Sequence, residues 1–385
     1  MKAVILTRNS YPCGDAGAVR QHAMAKMLQE LEYDVFVIGY GKTDEKQIQT
    51  YEGVDYVSLR LECRNKVEAL YSMLFFGNRA ISYLKERKEK IDLLLVVDMM
   101  PYDFGLINKY ADKNGIKLFH DSVEWYSPEE FKNGKKNIFY QMKEYTNRKA
   151  IRGKWRVIAI SQFLKEHFEK QCDKAVRIPV IMDVKAIAPN LEIPRKGKTV
   201  YVYAGSPEGK DYLKEILEGF SLLDRQRLDN VEIHIIGVNK EQLIERCAVK
   251  ADVLETLGNV LIAHGRVPRE EVVEWVKHAD FSLLLRNAEL RYAKAGFPTK
   301  VVESLSCGTP PLCNLSSDLG LYLQNQVNAV LIEECSAESV KDALLVSLDM
   351  GEERRKKLRL EARRLAEECF DFRQYIDDLA ELVAE

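Results

Sequence analysis

At 385 residues the chain is longer than one ordinary hydrophobic core supports, so two domains are expected. Lys+Arg 57 against Asp+Glu 59 leaves a formal net charge of -2, which excludes the basic excess of a nucleic-acid binder. A hydrophobic share of 46% with 30% charged residues is that of a soluble globule, and no run is long and apolar enough to span a bilayer.

In chain order, "KAVILT" (Lys2–Thr7) predicts a buried strand, and its apolar run ends at Arg8, too soon for a secretory signal. A helix is expected over Gly17–Leu31, with Val19, Ala23, Met27 and Leu31 on one face. "DVFVIGY", "VDYVSLRL", "DLLLVVD", "KLFHD" and "RVIAIS" read as further strands, with helical patterns between most of them. Continuous β-branched runs separated by helices indicate a parallel sheet covered on both faces. Arg64–Lys90 is basic, with Leu70, Met73, Leu74, Phe75 and Phe76 clustered. Two readings stand for 64–90: a helix packed on the sheet, or an amphipathic helix lying on an anionic membrane.

Near Ile178 the rhythm breaks, and the proline-bearing, basic stretch 185–198 reads as a linker. Strand–helix alternation then restarts with "TVYVYAGS", "VEIHIIG", "NVLIAHG", "DFSLLLR", "TPPLCNL" and "NAVLIEE". The tail is helical and heavily charged, with a break at Cys369–Phe372 that turns the last helix back toward the first domain. The expected architecture is α/β: two doubly wound, Rossmann-like parallel-sheet domains facing a cleft. Residues 1–184 with 370–385 form the first domain and 199–369 the second. In such sheets ligands sit beyond the carboxyl ends of the strands.

The 8 cysteines show neither CxxC nor Cys/His spacing for a metal, and read as reduced thiols of a cytoplasmic protein. Asp98 and Asp103 form no tight acidic motif for a metal bridging a nucleotide. The stretch with chemical content is "YAKAGFPTKVVESLSCGTPP" (Tyr292–Pro311). Pro298 and Thr299 suit a helix entrance and Gly308 a left-handed C-cap. The exposed N–H groups of that first turn make a phosphate seat, which Gly296 lets a ligand approach. Lys300 either adds charge to the seat or points to solvent. Glu303, one turn in, either complements the helix dipole or accepts hydrogen bonds from a ribose diol.

This stretch resembles the signature of the family 4 glycosyltransferases, retaining enzymes of the GT-B fold, with Gly296, Phe297, Glu303, Gly308 and Pro310 all matching. "PCGDAGAVRQHAMAKMLQEL", "YAGSPEGKDYLKEILEGF" and "VLIAHGRVPREEVVEWVKHADFSLLLR" extend the resemblance over nearly the whole chain. It implies transfer of sugar from a nucleotide-diphosphate sugar to a glycan or lipid-linked acceptor, in polysaccharide or glycoconjugate assembly, without a metal or other cofactor. It implies catalytic roles for His120, Lys210 and Glu303. Donor contacts are expected from Gly17, Gly205, Ser206, Arg266, Arg286 and Gly296 to Lys300. Acceptor contacts are expected from Gly14, Arg20, Asp121, Glu124 and Trp125, the last being equally a core residue. Two positions depart from the pattern: Ala295 stands where the family has glutamate, and Ser206 where it has arginine. These departures keep open a weakly active nucleotide-sugar-binding or partner protein, and a sugar-nucleotide epimerase.

Overall fold

The computed structural model describes residues 1–12, 16–41, 47–192, 197–207 and 209–384. They divide into two compact units, Met1–Asp183 with the segment from Phe372 onward, and Val184–Asp371.

The first unit is built on eight strands: β1 (Lys2–Thr7), β2 (Asp34–Gly39), β3 (Gln49–Tyr51), β4 (Val54–Ser58), β5 (Leu93–Val97), β6 (Lys117–Ser122), β7 (Gly153–Ala159) and β8 (Cys172–Arg177). Their spatial order is β3-β4-β2-β1-β5-β6-β7-β8. All pairs are parallel except β3–β4, a hairpin closed by Glu52 and Gly53, both in the left-handed region. The central strand β5 is buried along its whole length, as helices on both faces require. The chain's last segment packs here too: Arg156 Nη1 donates to the Leu382 carbonyl at 2.8 Å, and Leu379 and Leu382 join the core.

The second unit holds β9 (Thr199–Ala204), β10 (Val231–Ile236), β11 (Leu261–Gly265), β12 (Phe281–Leu284), β13 (Pro311–Cys313) and β14 (Val330–Leu331), in the order β11-β10-β9-β12-β13-β14 and all parallel. Its core packs Tyr201 on Phe281 and Phe220, and the Tyr201 hydroxyl bonds Ser347 Oγ at 2.6 Å. The stretch expected as a linker is a strap on this unit as far as Glu192. Asn190 N–H donates to the Cys307 carbonyl at 3.0 Å, and Arg363 reaches the carbonyls of Val184 and Ile187.

Each sheet has one place where chain order reverses direction: between β1 and β5 in the first unit, and between β9 and β12 in the second. The carboxyl ends of those strand pairs are where an open α/β sheet leaves room for a ligand.

Candidate active site

At the switch point of the second unit the backbone is thinned by glycine. Gly205 and Gly237 directly follow β9 and β10, and β11 ends at Gly265, all three with positive φ. They are tied edge to edge: Gly205 N–H donates to the Ile236 carbonyl at 2.9 Å, and Gly237 N–H to the Gly265 carbonyl at 2.6 Å. A side chain at Gly237 would collide with the Gly205 carbonyl, and one at Gly205 with the stem of Lys300. Lys300 crosses Gly205 to form an ion pair with Asp211 and to donate to the Tyr203 hydroxyl at 2.8 Å. Arg286, at the end of β12, pairs with the same carboxylate, Nε to Oδ1 at 2.7 Å. Burial alone would raise the Asp211 pKa, but the Arg286 and Lys300 charges hold it down at about 2. Burial pushes the Lys300 ammonium down, with Asp211 opposing that shift. One carboxylate thus meets two cations, and the cluster carries a net positive charge.

The helix that delivers Lys300 spans Thr299–Ser306, with Pro298 at its N-cap. Val301, Val302 and Leu305 are buried, which leaves Thr299, Lys300 and Glu303 on the open side. Among the described residues no side chain caps this N-terminus, and Val301 N–H donates to the Pro298 carbonyl at 3.1 Å, so the turn's outer edge suits an anionic ligand. At the other end Thr309 N–H donates to the Ser304 carbonyl and Gly308 N–H to the Leu305 carbonyl, a Schellman closure around left-handed Gly308. Glu303 is paired with Arg269, Oε1 to Nη2 at 2.7 Å; burial pushes its carboxyl pKa up against the pull of that guanidinium. Phe297 packs edge-on against Tyr322 and Phe370 and anchors the loop. Gly296 has φ -83°, a conformation open to any residue, so its backbone does not demand glycine.

Lys210 lies in the turn that presents Asp211, its N–H bonded to the Pro207 carbonyl at 2.8 Å. Its ammonium is 6.0 Å from the Tyr292 ring centroid, so the lysine at the switch-point carboxylate is Lys300. Ser206 is exposed after β9, and Arg266 is exposed after β11. Ala295 is fully buried. Lys294 and Glu289, which flank that stretch, pair with each other at 3.1 Å.

In the first unit several expected roles change. Gly17 lies in the first turn of helix Ala16–Glu30, while Gly14 lies outside the described residues. Arg20 and Asp121 are buried against each other, with Nη2 to Oδ1 at 2.8 Å and Nε to Oδ2 at 2.9 Å, and Arg20 also donates to the Ile178 carbonyl at 3.1 Å. Their polar atoms are spent on a structural pair rather than offered to an acceptor. His120 points to the opposite face of β6 from Asp121, as strand alternation requires. It is enclosed by Phe104, Trp155 and Phe168, with Nδ1 3.1 Å from the Val96 carbonyl, and burial pushes its pKa down to about 4. That is a core imidazole, not one facing a sugar. Trp125 is likewise buried, its indole N–H bonded to Glu144 Oε1 at 2.7 Å. Glu124 is half-buried and hydrogen-bonded to Tyr126.

The first unit's switch point belongs to other residues. Arg8 follows β1 and Asp98 follows β5; Arg8 Nη2 meets Asp98 Oδ2 at 3.0 Å, and Lys143 pairs with the other carboxylate oxygen. Asp98 is held in the left-handed region at φ 46°, strain of the kind found at functional positions. Among the described residues no group of three or more His, Cys, Asp or Glu side chains is arranged to hold a metal.

Two family models match successive parts of the sequence: Glycosyltransferase Family 4 over residues 17–182, and Glycosyl transferases group 1 over 186–365. The chain belongs to the family 4 glycosyltransferases. Its fold is GT-B, shared with sucrose-phosphate synthase from Thermosynechococcus elongatus at a TM-score of 0.75 and 13% identity, covering 100% of this chain and 98% of that one. WaaG, a glycosyltransferase involved in lipopolysaccharide biosynthesis, gives 0.69 at 15% identity with 99% of each chain covered. Anabaena HepE, solved in complex with UDP and glucose, gives 0.66 at 14% identity with 100% of each covered. No curated protein matches the sequence.

In this glycosyltransferase the residues that sequence reasoning missed are Asp211, Tyr203 and Arg269 in the second unit, and Arg8 and Lys143 in the first. Tyr203, Asp211 and Arg269 lie inside the stretches that carry the resemblance, but nothing in the sequence pairs them with Lys300, Arg286 or Glu303. Arg8 alone was reachable, because it directly follows a strand that ends in the ligand-facing edge.

Proposed function

We propose that the protein transfers a sugar, with retention of configuration, from a nucleotide-diphosphate sugar to a glycan or lipid-linked acceptor in polysaccharide or glycoconjugate assembly. The observation that carries this reading is the Arg286–Asp211–Lys300 cluster, which brings net positive charge to the switch point beside an uncapped helix N-terminus. The UDP and glucose held by HepE, and the process named for WaaG, support the substrate class. The diphosphate lies over Gly205 against the Thr299 turn, where Lys300 and Arg286 stabilise the charge that grows on the departing nucleotide. Lys210 adds a further cation from the same loop. Glu303 accepts from the ribose hydroxyls, held in place by Arg269. Ser206, Arg266 and the Gly296–Pro298 backbone line the same edge. In the first unit Asp98, flanked by Arg8 and Lys143, accepts a hydrogen bond from the acceptor near Gly17 and Glu124. The leaving phosphate takes the acceptor's proton as the new bond forms on the same face, so no protein nucleophile is needed. The reading places the charge work on side chains and helix dipole rather than on a metal. It places the protein in the cytoplasm, peripheral to the membrane through helix Lys66–Leu74.

Calorimetric titration with UDP, GDP, ADP and CDP in EDTA tests this on the parent, Lys300→Met and Glu303→Ala. One nucleotide is expected to bind selectively, and each substitution to weaken it by roughly tenfold or more. Absence of binding by all four sinks the reading. Buried Ala295 at the family's glutamate position favours a second reading, a nucleotide-sugar binder with little transfer. Formation of any glycosidic product would remove it.

A further inference from the structure

The cation pair at the second unit's switch point raises a physical problem. Two positive side chains converge on one spot, and like charges at close range repel unless something holds them. Asp211 supplies that hold, and its oxygens are fully assigned. Oδ1 accepts from Arg286 at 2.7 Å, while Oδ2 accepts from the Tyr203 hydroxyl at 2.7 Å and from Lys300. The Asp211 side chain is 1% exposed, against 15% for Arg286 and 24% for Lys300, so the carboxylate lies beneath and the cations face outward. The backbone fixes it there: Asp211 N–H donates to the Pro207 carbonyl at 3.3 Å, and Tyr212 N–H to the Leu285 carbonyl at 2.8 Å, stitching the β9 loop to the end of β12. Lys300 reaches this carboxylate only because residue 205 has no side chain.

We infer that Asp211 is a positioning residue of the donor site, a buried carboxylate that sets Arg286 and Lys300 at a fixed spacing to receive a diphosphate. The inference rests on the donor-site reading above, and it makes a prediction opposite in sign to simple electrostatics. Neutralising an anion beside an anion-binding site should strengthen diphosphate binding through Coulomb's law. If Asp211 acts by position, removing its charge releases the two cations from each other and weakens binding instead.

The test measures inorganic pyrophosphate affinity, independent of any nucleobase, and the affinity of the nucleotide selected by titration. The proteins are the parent, Asp211→Asn, Asp211→Glu and Tyr203→Phe, each checked for cooperative unfolding. Asp211→Asn is expected to weaken both ligands by roughly tenfold, with Asp211→Glu recovering part of the loss and Tyr203→Phe losing about threefold. Tyr203→Phe keeps every charge, so it carries the test if Asp211→Asn does not fold. Equal or tighter pyrophosphate binding by Asp211→Asn, or by Tyr203→Phe where only that variant folds, overturns the positioning role while leaving the donor site standing. If the parent binds neither pyrophosphate nor any nucleoside diphosphate, the donor-site reading fails and the inference falls with it.

Discussion

His120 and Asp103 are both buried in the first unit, and burial moves their protons in opposite directions. The His120 imidazole is pushed down to about 4, and the Asp103 carboxyl up to about 6. The unfolded chain binds a proton at His120 more readily than the folded one. Its contribution is therefore complete above pH ~6.5 and is lost as pH falls toward 4, by up to about 3 kcal/mol. For Asp103 the sign reverses: the folded state holds the proton longer, so stability is lost as pH rises from 3.8 through 6, by a similar ~3 kcal/mol. In the parent the two slopes largely cancel between pH 4 and 6. Asp103→Asn should leave the histidine exposed as a loss of stability in acid. His120→Gln should leave the aspartate, so that the variant gains stability relative to the parent as pH falls. Urea unfolding of all three proteins across this range checks both signs, and three parallel curves would refute the assignment.

The helix Thr299–Ser306 has work at both ends, and the caps at both ends were readable in the sequence. They were visible because proline, threonine and glycine mark caps by their backbone chemistry. Its anchorage was not. Helix Glu352–Cys369 turns Arg355, Arg359 and Arg363, one turn apart, into the unit. Arg363 donates to the Ser306 carbonyl at the end of the donor-site helix, Arg359 to the Ala279 carbonyl at 2.7 Å, and Arg355 to the Leu348 carbonyl at 3.2 Å. Cations at helix C-termini satisfy orphan carbonyls and complement the dipole. Arginines at this spacing read as a solvated face, because a sequence does not say which charged residues find carbonyls to bind. The same blindness hid Asp211 and Arg269, whose partners come from distant parts of the chain. It also promoted Arg20 and Asp121, which turned out to find each other. Arg363→Met should destabilise the protein by about 3 kcal/mol through lost charge-assisted bonds, whereas exposed Arg364→Met should change little. Denaturant unfolding measures the difference, and equal midpoints would show that the buried arginine contributes nothing.

At the scale of the whole molecule, alternation of apolar runs with amphipathic segments was enough to predict two parallel-sheet units, while the family came from the resemblance carried by Tyr292–Pro311 and the glycine-bearing loops. Strand order was not readable, because order depends on which edge each new strand joins. The pairing of Arg286 and Lys300 through Asp211 at the switch point therefore waited for the structure. The membrane question is similar. Arg64–Lys90 is two helices, Lys66–Leu74 and Phe76–Arg87, broken at Phe75. The second packs on the unit, with Arg79 spent on the Leu59 and Ser72 carbonyls and Arg87 on Glu89. The first turns its apolar side outward: Val67 is 76% exposed, Tyr71 55%, Leu70 47% and Phe75 41%. Its exposed charges nearly balance, Arg64 and Lys66 against Glu62 and Glu68. Apolar insertion, not attraction to anionic lipid, is then the force available, at ~1 kcal/mol for each partly exposed side chain that leaves water. Flotation with phosphatidylcholine vesicles and with vesicles containing phosphatidylglycerol should show binding to both, with little change between low and high salt. Replacing Val67, Leu70, Tyr71 and Phe75 by serine should abolish it while nucleotide binding persists. Binding confined to anionic vesicles and lost in salt would instead return the contact to basic residues elsewhere on the surface. Absence of binding to either vesicle would leave the stripe to a protein partner and remove the membrane from the proposed function.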